Sequence, residues 1–539
     1  MNDTDREQGA LKDDVYSQAN PPREGFTKAD QKHMYRLGKV QELKRNYRPL
    51  SALSFAVVLT AIWEYFMLAN TQGLIDGGLA GLFWSFIWTF LAFSFVGLSL
   101  AEMASMAPTS GGQYHWVSEF APPSIQRFLS YIVGWMSVLS WQAGNAADCF
   151  ITGTLIQALL QVNDENYEPK RWHGTLFTWV MVLVLYVVNI WGHDFWPRIQ
   201  NPLMIIHILA FFAVVTVLWT LAPHNSAERV FTEFSNGGGW NSIGLSLMVG
   251  QISAIYSILG THLRTIKPYQ ADQSPGSDAT AHMAEEVRDA DRYVPISLFW
   301  SYIGNSLMAI IFLTTYLFAM PSVEDAINDP SGYPFLYVFK GAMGTAGVNT
   351  LTIIVLLIVS AANINFGAST ARQTFAFARD KGLPFSSWLA RVHTGKEIPA
   401  NAILMTCTVT ILLSLINIGS LVAFNAIISL QIVSLMFTYF CSLSCVLYRR
   451  LYHPELLPVA RWSLGKWGPL VNAVGLAYVV FAFFWCFWPN ETPVDTETFN
   501  WSVVMFLGVF LLALVMYVVE GRRVYTGPVK QCRMARLEI

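Results

Sequence analysis

Charge is scarce in this chain. Asp, Glu, Lys and Arg together make up 13% of its 539 residues, about half the share of an ordinary soluble domain. Hydrophobic residues make up 53%, so an ordinary soluble domain is excluded. Cysteine is sparse too. The six present, Cys149, Cys407, Cys441, Cys445, Cys486 and Cys532, fall mostly in apolar runs, with no CxxC spacing and no histidine cluster beside them. They read as helix-packing residues, and neither a metal nor a cofactor is expected. Nucleic acid is not expected as a partner. Residues 1–48 lack the apolar core of a signal peptide and carry ten Lys or Arg, which reads as a disordered cytoplasmic tail with no cleavable leader.

Long apolar runs are what the chain does have. They start near residues 49, 79, 127, 172, 202, 241, 277, 295, 346, 399, 419, 469 and 500. A helix crossing a bilayer needs about 20 mostly apolar residues, so the runs at 241 and 277 read as halves of one interrupted span. The expectation is an all-α integral membrane protein of about twelve spans over residues 49–520, followed by a cytoplasmic tail at 521–539. Loops on the side away from the N-terminus hold Lys170, Arg171, Arg229 and Lys340, four of the 34 Lys and Arg. Basic residues stay on the cytoplasmic side. Both termini are therefore expected inside, which twelve spans satisfy.

An ionisable side chain in hydrocarbon costs from about 2.5 kcal/mol upward and so faces a partner, a cavity or a pathway. Span 1, "SFAVVLTAIWEYFMLANTQG", carries Glu64 beside Trp63, Tyr65 and Phe66. A carboxylate among aromatic rings attracts an ammonium group; the plain alternative is a protonated Glu64 bonded to a backbone carbonyl. Span 3, "WMSVLSWQAGNAADCF", sets Gln142, Asn145 and Asp148 three apart, a pattern suited to ligand contact or to hydrogen-bonded helix packing. In span 5, His207 stands alone in "NPLMIIHILAFFAVV", as a proton relay or a satisfied core residue. Span 8 offers Asn363, Asn365, Ser369 and Thr370, to line a pathway or to join helices.

Span 6 is interrupted. "YSILGTHLRTIKPYQADQSPGSDATAHMAEEV", residues 256–287, breaks from an apolar helix into a polar and basic stretch that includes Arg264, Lys267, Pro268 and Pro275. Discontinuous helices are a device of secondary transporters, in which unwound backbone is offered to the solute. Charges and prolines at that depth must be extruded into water or be absent from the working protein. Residues 261–276 are expected to be a retained short intron: sixteen codons keep the reading frame, and Gly260 and Gly276 both permit a junction within a glycine codon.

The stretches "AEMASMAPTSGGQYHW", "DATAHMAEEVRDADRYVP" and "FAFARDKGLP" resemble signature motifs of the fungal amino acid/choline transporters, the group of GABA and choline permeases in the amino acid–polyamine–organocation superfamily. The resemblance runs over roughly residues 50 to 520. It implies a LeuT-like inverted-repeat fold, with spans 1 and 6 unwound at mid-membrane, spans 3, 8 and 10 completing the site, and uptake usually driven by protons. By position it implies a span 1 break at Thr60, Ala61, Ile62 and Trp63 with Glu64 just beyond, and a span 6 break at Ile258, Leu259, Gly260 and Asp278. Tyr256, Ser277, Gln142, Asn145 and Asn365 complete the expected substrate site. His207 falls about where related carriers place a basic residue linked to proton coupling. The glycine usual in the span 1 break is missing from "LTAIWEYF".

The expected function is import of a small amine-bearing solute, such as GABA, another amino acid, choline or a polyamine, with protons as the coupling ion. The plasma membrane is the expected location, with the vacuolar membrane as the alternative. Rival readings are a transport-inactive nutrient receptor of the same fold and an inactive splice product. A membrane enzyme would need a clustered His/Asp/Ser motif at one interface, and His115, His193, His207 and His282 are scattered.

Overall fold

In the computed structural model, residues 27–164, 166–259, 278–496 and 498–528 are described. Among the described residues, ten helices are long and apolar enough to cross a membrane. They are span 1 (Pro49–Leu68), span 2 (Thr71–Met106), span 4 (Arg171–Trp191), span 5 (Trp196–Leu221), span 7 (Ala290–Phe318), span 8 (Thr345–Arg379), span 9 (Ala400–Gly419), span 10 (Val422–Tyr452), span 11 (Gly465–Trp485) and span 12 (Ser502–Val524). Span 3, Gln126–Asn163, is also long, but Gln142, Asn145 and Asp148 dilute its hydropathy. Span 6 is in pieces: Ile243–Gly250 and Ile252–Leu259 before the break, and Ala279–His282 after it. The total is the expected twelve. Among the described residues no strand forms beyond an isolated Tyr47–Val287 bridge.

Burial separates centre from rim. In span 1, 83% of the apolar stretch is buried inside the protein, against 11% in span 12; span 1 is therefore enclosed by other spans, whereas span 12 shows its surface to lipid. The two broken spans lie together in antiparallel fashion. The first half of span 1 packs against Ala279–His282 of span 6, and the second half of span 1 against Ile252–Leu259. Spans 5, 7 and 8 flank the first half of span 1, and span 3 packs on spans 4, 8, 9 and 10.

The break in span 1 is a single residue wide. Ala61 adopts φ 32° and ψ 45° between the helices Pro49–Thr60 and Ile62–Leu68. Left-handed backbone costs a residue with a Cβ roughly 1–2 kcal/mol. The surroundings hold it there. Asn305 of span 7 donates to the Val57 carbonyl at 3.1 Å and to Thr60 Oγ1 at 2.6 Å, while Thr60 Oγ1 donates to the Ala56 carbonyl at 2.9 Å. Thr60, Ile62 and Trp63 are helical, so the expected four-residue unwinding contracts to Ala61. Without glycine, each further non-helical residue would repeat that cost.

Residues 27–48 depart from the expected disorder. Lys28–Arg36 is a helix with a capping box between Thr27 and Asp30. The segment is pinned by Lys39 Nζ to Asp380 at 3.1 Å and His33 Nε2 to Asp291 at 3.1 Å, and is braced internally by Arg45 Nη1 to Asp30 at 3.1 Å. At the other end, span 12 runs on past residue 520, and buried Tyr525 shares a 2.6 Å hydrogen bond with Ser130.

Candidate functional site

Beyond the Ala61 break, the amides of Ile62, Trp63 and Glu64 open a new helical segment, whose ladder supplies them no carbonyl one turn back. Glu64 is fully buried, and its Oε1 lies 2.5 Å from Nδ1 of equally buried His207. Spans 1 and 5 thus join the two ionisable residues that stood alone in their apolar runs. Glu64 Oε2 and His207 Nε2 have no further hydrogen-bond partner among the described residues. The Trp63 ring packs on His207, Phe211 and Phe312 at centroid distances of 6.0, 6.1 and 5.5 Å. This dry aromatic wall strengthens any charge interaction inside it.

Asp148 of span 3 is buried, and neither of its carboxylate oxygens has a hydrogen-bond partner among the described residues. Glu64, Asp148 and Cys149 are the ionisable neighbours of Tyr65, whose hydroxyl is also unpartnered among those residues. Seven residues before Asp148, on the same helix face, Trp141 stacks on Phe366 of span 8 at 4.6 Å and meets His282 edge-on at 4.8 Å. Spans 1 and 3 thus bring two carboxyl groups and three large aromatic rings, Trp63, Tyr65 and Trp141, into the interior, with Phe366 of span 8 and His282 of span 6 against Trp141. An isolated carboxylate in such a place is costly unless a cation or a proton joins it.

The other polar residues of span 3 turn elsewhere. Gln142 donates to Thr374 of span 8 and Thr406 of span 9, both at 3.0 Å, and Asn145 donates to Thr410 at 2.7 Å. These bonds fit the helix-packing alternative, while Gln142 Oε1 and Asn145 Oδ1 have no hydrogen-bond partner among the described residues. Asn365 is also placed away from the break, accepting from Trp196 at 2.7 Å and Gln200 at 2.9 Å to tie span 8 to span 5. Tyr256 and Ile258 are buried in the first part of span 6, which Leu259 ends. Gly260 and Ser277 lie outside the described residues, as does the 261–276 stretch.

Asp278 is a junction. It accepts from Tyr439 Oη of span 10 at 2.6 Å and from Gln113 Nε2, with His282 Nε2 at 3.3 Å. Its carboxylate is therefore already engaged. Tyr439 gave no signal in an apolar run where tyrosine is ordinary. Gln113 follows Gly112, and the glycine is required twice there: its φ is +52°, and a Cβ would come within 2.6 Å of His282.

The three quoted motifs meet on the face that carries residues 27–48. Arg379 donates to both Glu285 oxygens at 2.7 and 2.8 Å, Ser110 N–H donates to Glu285 at 3.2 Å, and Tyr114 donates to Asp380 at 2.9 Å. Arg372 Nε adds Glu286 at 2.6 Å. Burial pushes the Glu285 carboxyl up, but Arg379, aided by Lys39 and the Ser110 amide, outweighs it and holds the group at about 2.

Broken spans laid side by side around buried charge define a membrane carrier of the secondary-transporter class. The chain belongs to the amino acid permease family, whose model matches residues 49–511, and it has the LeuT-like inverted-repeat fold. It is 26% identical to amino-acid permease 2 of Neurospora crassa, over 95% of this chain and 91% of that one. It is 26% identical to the choline transporter of Saccharomyces cerevisiae, over 89% and 82%. Amino-acid permease BAT1 of Arabidopsis thaliana is 29% identical, over 92% and 95%. The chain is thus a multi-pass membrane protein of a transporter family.

Proposed function

We propose that this protein imports a small solute bearing a protonated primary amine, driven by protons. The observation that carries the reading is Asp148, buried near Tyr65 with neither oxygen partnered among the described residues. A substrate ammonium supplies the charge and the N–H donors that this carboxylate lacks. Trp141 and Tyr65 add aromatic attraction for the cation. A carboxylate on the same substrate would meet the amides opened at Ala61. GABA, other amino acids and polyamines fit this chemistry. Choline has no N–H and would leave the Asp148 oxygens unbonded, although one relative is named a choline transporter.

Proton coupling is assigned to the Glu64–His207 pair. The pair is fully buried with Glu64 Oε1 and His207 Nδ1 2.5 Å apart, and Glu64 Oε2 and His207 Nε2 have no further partner among the described residues. Binding of proton and substrate at neighbouring groups links their movements across the membrane. The acidic outer mouth supports cation entry: a cleft of about 630 Å³ is lined by Glu233, Glu324 and Glu491, with Arg229 already paired to Glu233 at 2.9 Å. The Glu285–Arg379 cluster closes the other face, which is assigned to the cytoplasm together with both termini; the plasma membrane is the assigned location.

The test is reconstitution. Vesicles containing the protein and loaded with unlabelled GABA, amino acid, polyamine or choline are given the labelled counterpart outside. Counterflow of at least one primary amine, enhanced by an inward proton gradient under net-uptake conditions, is expected. Binding without counterflow would instead identify a receptor.

A further inference from the structure

Five cationic side chains crowd a second cleft, far from Asp148 and on the face that carries residues 27–48. It has a volume of about 630 Å³, and the charged groups lining it are Lys44, Arg45, Arg48, Asp194, Arg198 and Arg288. Lys44 is paired with Asp194 at 3.0 Å, and Arg45 with Asp30 at 3.1 Å. Arg48, Arg198 and Arg288 form no close ion pair among the described residues, although Arg198 stands near enough to Asp194 to help lower its pKa, and Arg288 Nε is directed to the Arg45 carbonyl at 3.2 Å. Like charges gathered in a concavity repel one another, and a bound anion relieves that repulsion. Guanidinium groups match phosphate oxygens two at a time.

Two further features select the ligand. Spans 1 and 5 begin at the cleft, at Pro49 and Trp196, so the positive ends of both helix dipoles point toward it. Leu50 lines the same cleft and is 55% exposed, and on span 5 Ile205 and Leu209 continue an exposed apolar surface. The charged cleft therefore stands at the membrane boundary, where a headgroup and its acyl chains can be held together. We propose that it binds a phosphomonoester dianion, carried on an anionic lipid or free in solution.

The full-length protein in detergent supplies the test. Native mass spectrometry follows binding of a phosphatidylinositol bisphosphate with phosphatidylcholine as control, and a parallel arm titrates soluble inositol trisphosphate. Selective retention of the phosphorylated lipid is expected, weakening as salt rises. Removing the Arg48 and Arg198 guanidinium groups together (Arg48→Gln with Arg198→Gln) is expected to weaken binding by about tenfold or more, since two charged donors to the phosphate are lost. Arg198→Gln alone, on an exposed side chain, gives a smaller loss and serves if the double variant fails to fold. Lipid binding tighter than that of the soluble headgroup locates the source in the membrane; equal binding locates it in solution. The proposal is overturned if neither phosphate compound binds, or if both variants bind as the wild type does.

Discussion

Asp148 shows at the scale of one residue why a carrier interior tolerates imperfection. A side chain this buried is normally satisfied, and Asp278 obeys that rule through Tyr439 and Gln113. Asp148 has no partner among the described residues, and the proposed substrate ammonium is the group that would supply one. Replacing it with asparagine preserves shape and removes charge, and KM for a primary amine is expected to rise by about ten- to a hundredfold. Initial uptake rates over a range of substrate concentrations measure this; an unchanged KM would remove Asp148 from the site. His207 is expected to set the pH response. His207→Gln leaves Glu64 without its 2.5 Å partner, and uptake should lose the wild-type dependence on external pH. Rates measured from pH 5 to 8 decide it, and an intact profile would exclude His207 from the proton path. Glu64, His207 and Asp148 were each legible as ionisable residues in apolar sequence. That Glu64 and His207, 143 positions apart, form a pair was not, because spacing along a chain does not state which helices touch. The same gap hid the fate of Gln142, Asn145 and Asn365, whose amides serve neighbouring helices.

The broken helices set the next scale. The wide unwinding expected in span 1 becomes a single left-handed Ala61, because only tertiary clamps such as Asn305 hold that conformation in a sequence without glycine. Ala61→Gly is expected to relieve about 1 kcal/mol of strain, and Ala61→Val to cost more than Ala61→Gly gains, since β-branched residues avoid positive φ. Thermal unfolding of the purified variants gives the order glycine, wild type, valine. The motif stretches were legible as signatures but not as a structure. Their joint role emerges when Ser110, Glu285 and Arg379 meet at one closure. Glu285 titrates at about 2 there, against about 4.3 for a free glutamate. A depressed carboxyl pKa contributes stability that is complete above the unfolded value and is lost as pH falls toward the folded one. The stability difference between wild type and Glu285→Gln should therefore be constant above about pH 5 and shrink between about pH 4 and pH 2. A difference that grows on acidification would contradict the ion-pair assignment.

At the scale of the whole molecule, hydrophobic periods suffice for twelve spans because lipid demands about 20 apolar residues each time the chain crosses. They leave the 261–276 stretch unaccounted for. Both parts of span 6 have their own supports: Ile252–Leu259 rests on spans 1 and 2, and Ala279–His282 on spans 1, 7 and 8. These supports are contacts among the described residues. Arg264 and Lys267 would each cost about 2.5 kcal/mol or more if they met hydrocarbon, and the insert interrupts the hinge at which the second broken span bends. We infer that the working protein lacks it. A form deleted for residues 261–276 is expected to reach the membrane at a level no lower than the full chain and to take up amine faster per molecule. Surface-quantified uptake of the two forms, with sequencing of mature transcripts, provides the measurement. If every message encodes "THLRTIKPYQADQSPG" and the full chain transports as fast, the segment belongs to the functional carrier and must be folded into water.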